Sequence, residues 1–248
     1  MSAVWPDEVA GFALHHHARL ASTQDEARRL AKAGARELVV VADEQTGGHG
    51  RRGRRWTSPP GNLYATVVTT PGVAPAFVPA LSLIAASALC QALEGRAIPP
   101  PPLAVKWPND VLLDGRKLAG LLLEVSDDAV LIGCGVNLAT APPEVPAAAT
   151  LSSWGLELSA AGVLARWLEA WRRAAAALAA GDTASWREAW LARAAGLHRP
   201  VRVALAERRL EGLHRGIDAH GALRVETAAG VETVLAGDVE LVRLGETF

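Results

Sequence analysis

Apolar and polar positions alternate along this chain in ways that predict most of its elements. Gly11 to Leu20 reads as a strand. Ser22-Thr23-Gln24-Asp25-Glu26 then opens a helix, since both Ser22-x-x-Asp25 and Thr23-x-x-Glu26 fit the reciprocal side-chain capping pattern, and Gly34 closes it. The run Leu38-Val39-Val40-Val41-Ala42 predicts a buried strand, and Asn62 to Thr70 predicts another. Ala76 to Leu93 carries no charge over 18 residues and predicts a buried core helix. Two apolar strands flank Asp114-Gly115 between Val105 and Val125, a hairpin signal. Lys106, Asn109 and Asp110 stand before the first of them, and Lys117 opens the second. Ala129 to Gly133 predicts a strand, with Gly133-Cys134-Gly135-Val136-Asn137 as a close backbone approach or a bulge. Leu158 to Ala180 is an amphipathic helix with Leu164, Trp167, Leu168 and Trp171 on one side, and Thr183 to Ala194 is a shorter one. From His198 onward the texture changes to short alternating segments with tight turns, which predicts a small all-β barrel and a domain boundary near residue 196.

Composition narrows the class. The chain has 248 residues, enough for one large domain or a large one with a small one. Half the residues are hydrophobic and 21% are charged, a globular balance. The formal net charge is −1, which argues against wholesale binding to DNA or an anionic membrane. The two cysteines, Cys90 and Cys134, form neither a disulfide framework nor a zinc pattern, which fits a reducing cytoplasm. The N-terminus lacks the basic start and apolar core of a signal peptide. The uncharged segment 76–93 lies at the lower length limit for a membrane span, but its Pro79, Ser82, Ser87 and Gln91 favour a core helix.

The candidate chemistry centres on Glu44 to Trp56, which places four glycines and four arginines in the ten residues 47–56. Glycine lets the backbone come close to a ligand, and arginine forks suit phosphate and carboxylate oxygens. A solvated basic loop is an equal reading from composition alone, and a nucleic-acid or localisation patch is a third. The spacing Gly48-x-Gly50-x-x-Gly53 also fits a dinucleotide fingerprint, but Trp56-Thr57-Ser58-Pro59-Pro60-Gly61 cannot open the helix that motif requires. Of His15, His16 and His17, only the first and third share a strand face, and no Cys or acidic partner stands beside them in sequence. The Lys117 stem packs and its head is aimed, and Gly120 lets a ligand lie on the strand. Cations grouped with an Asn-Asp pair suit a carboxylate attacking a nucleotide α-phosphate, where both partners are negative. Asp110 is a candidate to hold Mg²⁺ or accept a proton.

These residues together resemble a known family. Ser22-Thr23-Gln24, Gln45-x-x-Gly48-x-Gly50-Arg51-Arg52-Gly53-Arg54-x-Trp56, Lys106-Trp107-Pro108-Asn109-Asp110, Arg116-Lys117-Leu118-Ala119-Gly120 and Gly133-x-Gly135-x-Asn137 are similar, in order and spacing, to the motif series of biotin protein ligases. The resemblance covers nearly the whole chain. It implies an α+β fold: a mixed-sheet biotin/lipoyl ligase-like catalytic domain over 1–196 and an SH3-like β-barrel over 197–248. It implies the monofunctional form, without a winged-helix DNA-binding domain. It further implies activation of biotin by Mg-ATP to biotinyl-5′-AMP, then transfer to a lysine of a biotin carboxyl carrier protein of acetyl-CoA carboxylase or a related carboxylase. The partners implied are biotin, ATP and that carrier, with no DNA and no membrane, and a monomer or homodimer is expected.

Carried over by position, Ser22, Thr23, Gln24, Gln45, Gly48, His49, Gly50, Arg51, Lys117 and Gly120 are the biotin-binding set. Arg51, Arg52, Arg54, Trp56, Lys106, Asn109, Asp110 and Asn137 are the ATP-binding set. Lys117, Arg51 and Asp110 are the catalytic set, the metal ligands are unassigned, and Arg243 is placed near the nucleotide. His49 departs from the arginine usual in the family, which points to weaker or pH-dependent retention of the adenylate. Gln24 replaces a common Asn with one methylene more. Two other readings stand beside this one: lipoate or octanoate transfer on the same fold, and a non-catalytic sensor of biotin or a nucleotide.

Overall fold

In the computed structural model, residues 5–95, 99–142, 145 and 148–242 are described. Thirteen strands and four helices follow in the order β1 (Glu8–Val9), β2 (Phe12–Leu20), α1 (Thr23–Lys32), β3 (Leu38–Gln45), β4 (Leu63–Thr69), α2 (Ala80–Glu94), β5 (Leu103–Lys106), β6 (Asp110–Leu113), β7 (Arg116–Ser126), β8 (Ala129–Val136), α3 (Ala160–Ala179), α4 (Ser185–Leu191), β9 (Pro200–Ala204), β10 (Arg209–Ile217), β11 (Leu223–Thr227), β12 (Gly230–Val234) and β13 (Asp238–Leu241). The first eight strands form one sheet in the order β1-β2-β3-β4-β8-β7-β6-β5. Only β2 and β3 run parallel, joined across α1, so the sheet is mixed as expected.

Both faces of this sheet are covered over much of its area, which is why its strands read as continuous apolar runs. On one face Val39, Val41, Ala65, Val67, Ile132 and Val136 join a core closed by α2, α3 and α4. On the other, Leu38, Val40, Val68, Ala129 and Leu131 pack under Ala27 and Ala31 of α1. Ser22 caps α1, its Oγ accepting from Asp25 N at 3.4 Å, a contact worth about 1 kcal/mol. Glu26 pairs with Arg29 rather than completing a second capping box. The helix ends at a glycine in the left-handed region, Gly34 at φ +89°.

The uncharged segment is the expected core helix. It starts at Ala80 rather than residue 76, because Pro79 takes the N-cap position and Pro75–Phe77 make a 3-10 turn. No helix among the described residues is long and apolar enough to cross a membrane.

Two other boundaries differ from the sequence reading. Lys106 ends a strand of its own, β5, and pairs across a tight turn with Asp110, the first residue of β6. The strand predicted to stop at Gly133 continues through Val136 in an unbroken register with β4 and β7, with no bulge. The Asp114-Gly115 turn has positive φ at both residues, +49° and +72°, as a two-residue hairpin of that twist requires.

The small all-β unit is a five-stranded antiparallel sheet in the order β12-β11-β10-β9-β13. Its Val201, Val203, Ile217, Leu223 and Val225 belong to the same contiguous core as the large sheet. Polar contacts also tie the two together. Trp107 Nε1 donates to Gly221 O at 3.0 Å, and Arg187 Nε donates to Ile217 O at 3.0 Å. Arg243 lies outside the described residues.

Candidate active site

The cavity forms where the α1 face of the sheet runs out from under α1. Here the side chains that would fill that face are missing or polar: Thr66 on β4, Gly133 and Gly135 on β8, Gly120 on β7. Each glycine has a steric reason. A Cβ at Gly133 would lie 2.5 Å from Gln24 Oε1, and one at Gly135 would lie 2.6 Å from the Trp56 ring. One at Gly120 would sit 3.4 Å from both Lys117 Nζ and Trp56. So the close approach expected of these glycines is made first by the protein's own side chains, which turn from α1 and the glycine/arginine loop onto bare strand. The resulting cavity of about 340 Å³ is of ligand-pocket size.

One end is neutral and hydrogen-bonding. Gln45 Oε1 accepts from Thr23 N at 2.8 Å and from Thr23 Oγ1 at 3.1 Å, and Gln45 Nε2 donates to Ser58 Oγ at 2.9 Å. Thr66 Oγ1 lies 2.9 Å from Thr23 Oγ1 and 3.2 Å from Gln24 Oε1. The Gln24 amide nitrogen is buried with no hydrogen-bond partner, as are Trp56 Nε1 and Asn137 Oδ1. A buried amide N–H₂ with no acceptor is costly. An acceptor oxygen on a ligand at this end supplies it.

The other end is charged. Asp110 Oδ1 lies 2.7 Å from Lys117 Nζ, and its Oδ2 lies 3.3 Å from Lys106 Nζ. Lys117 Nζ stands 5.4 Å from the centre of the Trp56 ring. Arg51, Arg54 and Arg55 reach the same cavity from the loop. Counting Lys106 and Lys117, five permanent cations line it against two carboxylates, Asp110 and Asp238. Burial lowers the pKa of Arg51 from the ordinary guanidinium value, with Asp238 opposing and Arg52 and Arg54 reinforcing that shift. The guanidinium stays charged at any physiological pH. Cys134 also lines the cavity, but burial pushes its thiol well up, so it is no thiolate nucleophile.

The structure brings Ser22, Thr23, Gln24, Gln45, His49, Gly50, Arg51, Arg54, Trp56, Lys106, Asn109, Asp110, Lys117, Gly120 and Asn137 to this cavity. Gly48 and Arg52, also in the expected set, do not line it. Gly48 is structural: it is buried, its carbonyl accepts from Trp56 N at 2.9 Å, and a Cβ there would meet Trp56 O at 2.6 Å. Arg52 points to Asp238 Oδ2 at 2.9 Å. Asn109 also has a structural job, its side-chain amide donating to Leu121 O and its backbone carbonyl accepting from Leu121 N at 2.9 Å. The arginine cluster is not simply solvated, since Arg51, Arg52 and Arg54 all converge on Asp238 of β13. His15, His16 and His17 gather no metal set, and no group of three metal-ligating side chains occurs among the described residues.

A family model described as biotin/lipoate A/B protein ligase family matches residues 18–137. A second, described as biotin protein ligase C terminal domain, matches residues 196–242. A biotin–acetyl-CoA-carboxylase ligase of Paracoccus denitrificans is 39% identical over 234 residues, covering 90% of this chain and 98% of that protein. The chain belongs to the biotin/lipoate A/B protein ligase family. Its similarity lies with the biotin protein ligases of that family. A solved structure of the biotin protein ligase from Aquifex aeolicus in complex with biotin and ATP matches it with a TM-score of 0.82 and 27% identity, covering 93% of this chain and 98% of that one. A biotin protein ligase from Leishmania major in complex with biotinyl-5-AMP matches with a TM-score of 0.63 and 27% identity, covering 90% and 98%.

Thr66, Arg55 and Asp238 are among the cavity residues of this ligase-family chain that escaped the sequence reading. Thr66 had a signal, a fully buried hydroxyl between Ala65 and Val67 in the middle of the strand Leu63–Thr69. Arg55 stood inside the loop without a motif position. Asp238 had no local signal, because it comes from the small sheet and joins the loop only through tertiary contact.

Proposed function

We propose that this chain activates biotin with Mg-ATP to biotinyl-5′-AMP and passes the acyl group to a lysine of a biotin carboxyl carrier protein. The observation that carries the reading is the division of the cavity. A neutral end with an unpaired buried amide adjoins an end with five cations and two carboxylates. The ureido ring of biotin needs the first, and a carboxylate meeting a triphosphate needs the second.

In this reading Ser22, Thr23, Gln24, Gln45 and Thr66 hold the ring, and the biotin chain runs from there past Trp56 toward Lys117. Lys117 meets the biotin carboxylate. Arg51, Arg54, Lys106 and Asn137 face the nucleotide. A carboxylate oxygen bonds to the α-phosphorus as its bond to the bridging oxygen breaks and pyrophosphate leaves. The amine of a carrier lysine then attacks the acyl carbon, and AMP departs with the oxygen it shared. In both steps negative charge moves onto phosphate oxygens, and Lys117 and Arg51 stand where preset cations lower that barrier. Asp110 orients Lys117 through its 2.7 Å ion pair.

Magnesium fits the donor set only as an ion that arrives on the phosphates, since such ions need one or two carboxylates and Asp110 is the one beside both lysines. Bound there, it would neutralise phosphate charge. We take residues 1–196 as the catalytic unit and 197–248 as its companion, working in the cytoplasm where ATP and the carrier are found.

The test is to incubate the pure protein with biotin and Mg-ATP and look for biotinyl-AMP by mass spectrometry, with lipoate and octanoate in parallel. A biotin-only signal is expected. A lipoyl or octanoyl adenylate would move the substrate while keeping the fold, and silence in all three would favour a sensor.

A further inference from the structure

The glycine/arginine loop is tied shut from the other unit. Arg52 Nη1 lies 2.9 Å from Asp238 Oδ2, Arg54 Nη2 pairs with the same oxygen, and Arg51 Nη1 lies 3.6 Å from Oδ1. Arg51 Nη1 also donates to Gly237 O at 3.3 Å. No other carboxylate is within ion-pair distance of these three guanidinium groups among the described residues. Three like charges on one short loop repel, and Asp238 is the anion that offsets them.

Its position is fixed by the small sheet. Asp238 pairs with Ala204 across the β13–β9 ladder, and a Cβ on the preceding Gly237 would meet Val203 at 3.0 Å. Arg52, one of the three arginines that meet it, sits at φ +57°, in the left-handed region that side chains disfavour. The Arg51 and Asp238 side chains are 25% and 32% exposed while those of Arg52 and Arg54 are 49% and 61% exposed, so the cluster has a half-buried centre at Asp238 and a solvated rim. Of the three arginines, Arg51 and Arg54 line the cavity and Arg52 does not. The cluster therefore grips the loop partly from outside the site.

We propose that Asp238 is a positioning residue, a clamp by which the C-terminal sheet holds the glycine/arginine loop over the cavity. For retention of the acyl-adenylate the inference rests on the function proposed above. Each guanidinium keeps donors free for a phosphate after meeting one carboxylate, so the clamp and the ligand share Arg51 and Arg54 without exchange.

The experiment has two arms on the full chain. In the first, hydrogen exchange over residues 46–56 is followed without ligand. Asp238→Asn should speed it roughly tenfold, Asp238→Glu should restore it, and Arg52→Ala should shift it less in the same direction. In the second, enzyme preloaded with adenylate is diluted and release is timed. Asp238→Asn should release it roughly tenfold faster, a larger change than the fall in the rate of pyrophosphate formation, a split that general destabilisation does not give. Exchange unchanged in Asp238→Asn would overturn the clamp. So would tighter ATP binding in that variant, which would make Asp238 a competitor of the phosphates. If Asp238→Asn fails to fold, Arg52→Ala decides both arms by the same signs. A parent chain that formed no adenylate would sink the proposed function and leave the exchange arm to judge the clamp.

Discussion

Among the regions that bury polar atoms without a protein partner, two differ sharply in what lies beside those atoms. In the large sheet these atoms are Gln24 Nε2, Trp56 Nε1 and Asn137 Oδ1, and all three residues line the cavity. At the junction of α4 with the small sheet they are His214 Nε2 and Trp190 Nε1. His214 is 1% exposed, Trp190 is fully buried, and their ring centres are 6.1 Å apart. His214 Nδ1 accepts from Gly216 N at 2.9 Å, so the neutral ring carries its proton on the unpaired nitrogen. Both regions bear the cost of desolvated polar groups. Of these two, only the first can recover it from a ligand, because only there does an open cavity adjoin the orphaned atoms. An unpaired buried donor therefore points to binding when a cavity adjoins it and to a stability cost when rings close over it.

Three substitutions test that contrast, the largest effect first. Lys117→Ala removes the aimed cation of the cavity. Adenylate formation should fall by roughly 10²- to 10³-fold, with the thermal midpoint nearly unchanged. Pyrophosphate release at the parent's rate would show that Lys117 has no part in the chemistry.

The closed junction should respond to pH instead. Burial, with a smaller contribution from the charge of His198, lowers the His214 pKa from 6.5 to about 4. The unfolded chain takes up a proton as pH falls through about 6.5, while the folded chain resists until about 4. Its contribution is fully present above pH 6.5 and is lost on acidification. Between pH 7 and 5 the loss should be about 2 kcal/mol. Urea unfolding at both pH values should show a flatter dependence in His214→Gln, and an unaltered slope would mean that the ring is not the source.

Gln24→Leu is the smallest of the three. It removes the unpaired amide from the cavity, so folding stability should hold or rise. Biotin affinity should drop by about tenfold, the size of one hydrogen bond. Calorimetry showing undiminished affinity would place the ring of the ligand elsewhere.

Much of this was legible in the order of residues. The two lysines, Asn109, Asp110 and the glycine/arginine loop stood out because chemistry and punctuation coincide there. The five strands of the small sheet were readable from their alternation, since an antiparallel sheet with one wet face shows period two. Other features were misread for local reasons. Glycines usually mark strand ends, so Gly133 suggested a terminus. In the sheet it is a mid-strand position kept bare for Gln24. The run of arginines looked half solvated because its partner, Asp238, is supplied by another element.

The sequence by itself determined which stretches are strands and helices, where the charge lies, and which family the motif series resembles. These are local properties, set by periodicity, capping and turn chemistry within a few residues. Only the tertiary structure decided what each charged side chain meets. The pairing of Asp110 with both Lys106 and Lys117, the placing of Trp56 on Gly135 and Gly120, and the three arginines on Asp238 all depend on strand order and on how the small sheet docks. Electrostatic partners are chosen by distance in space, and sequence separations such as the one between Arg54 and Asp238 carry no periodic signal for the eye to read.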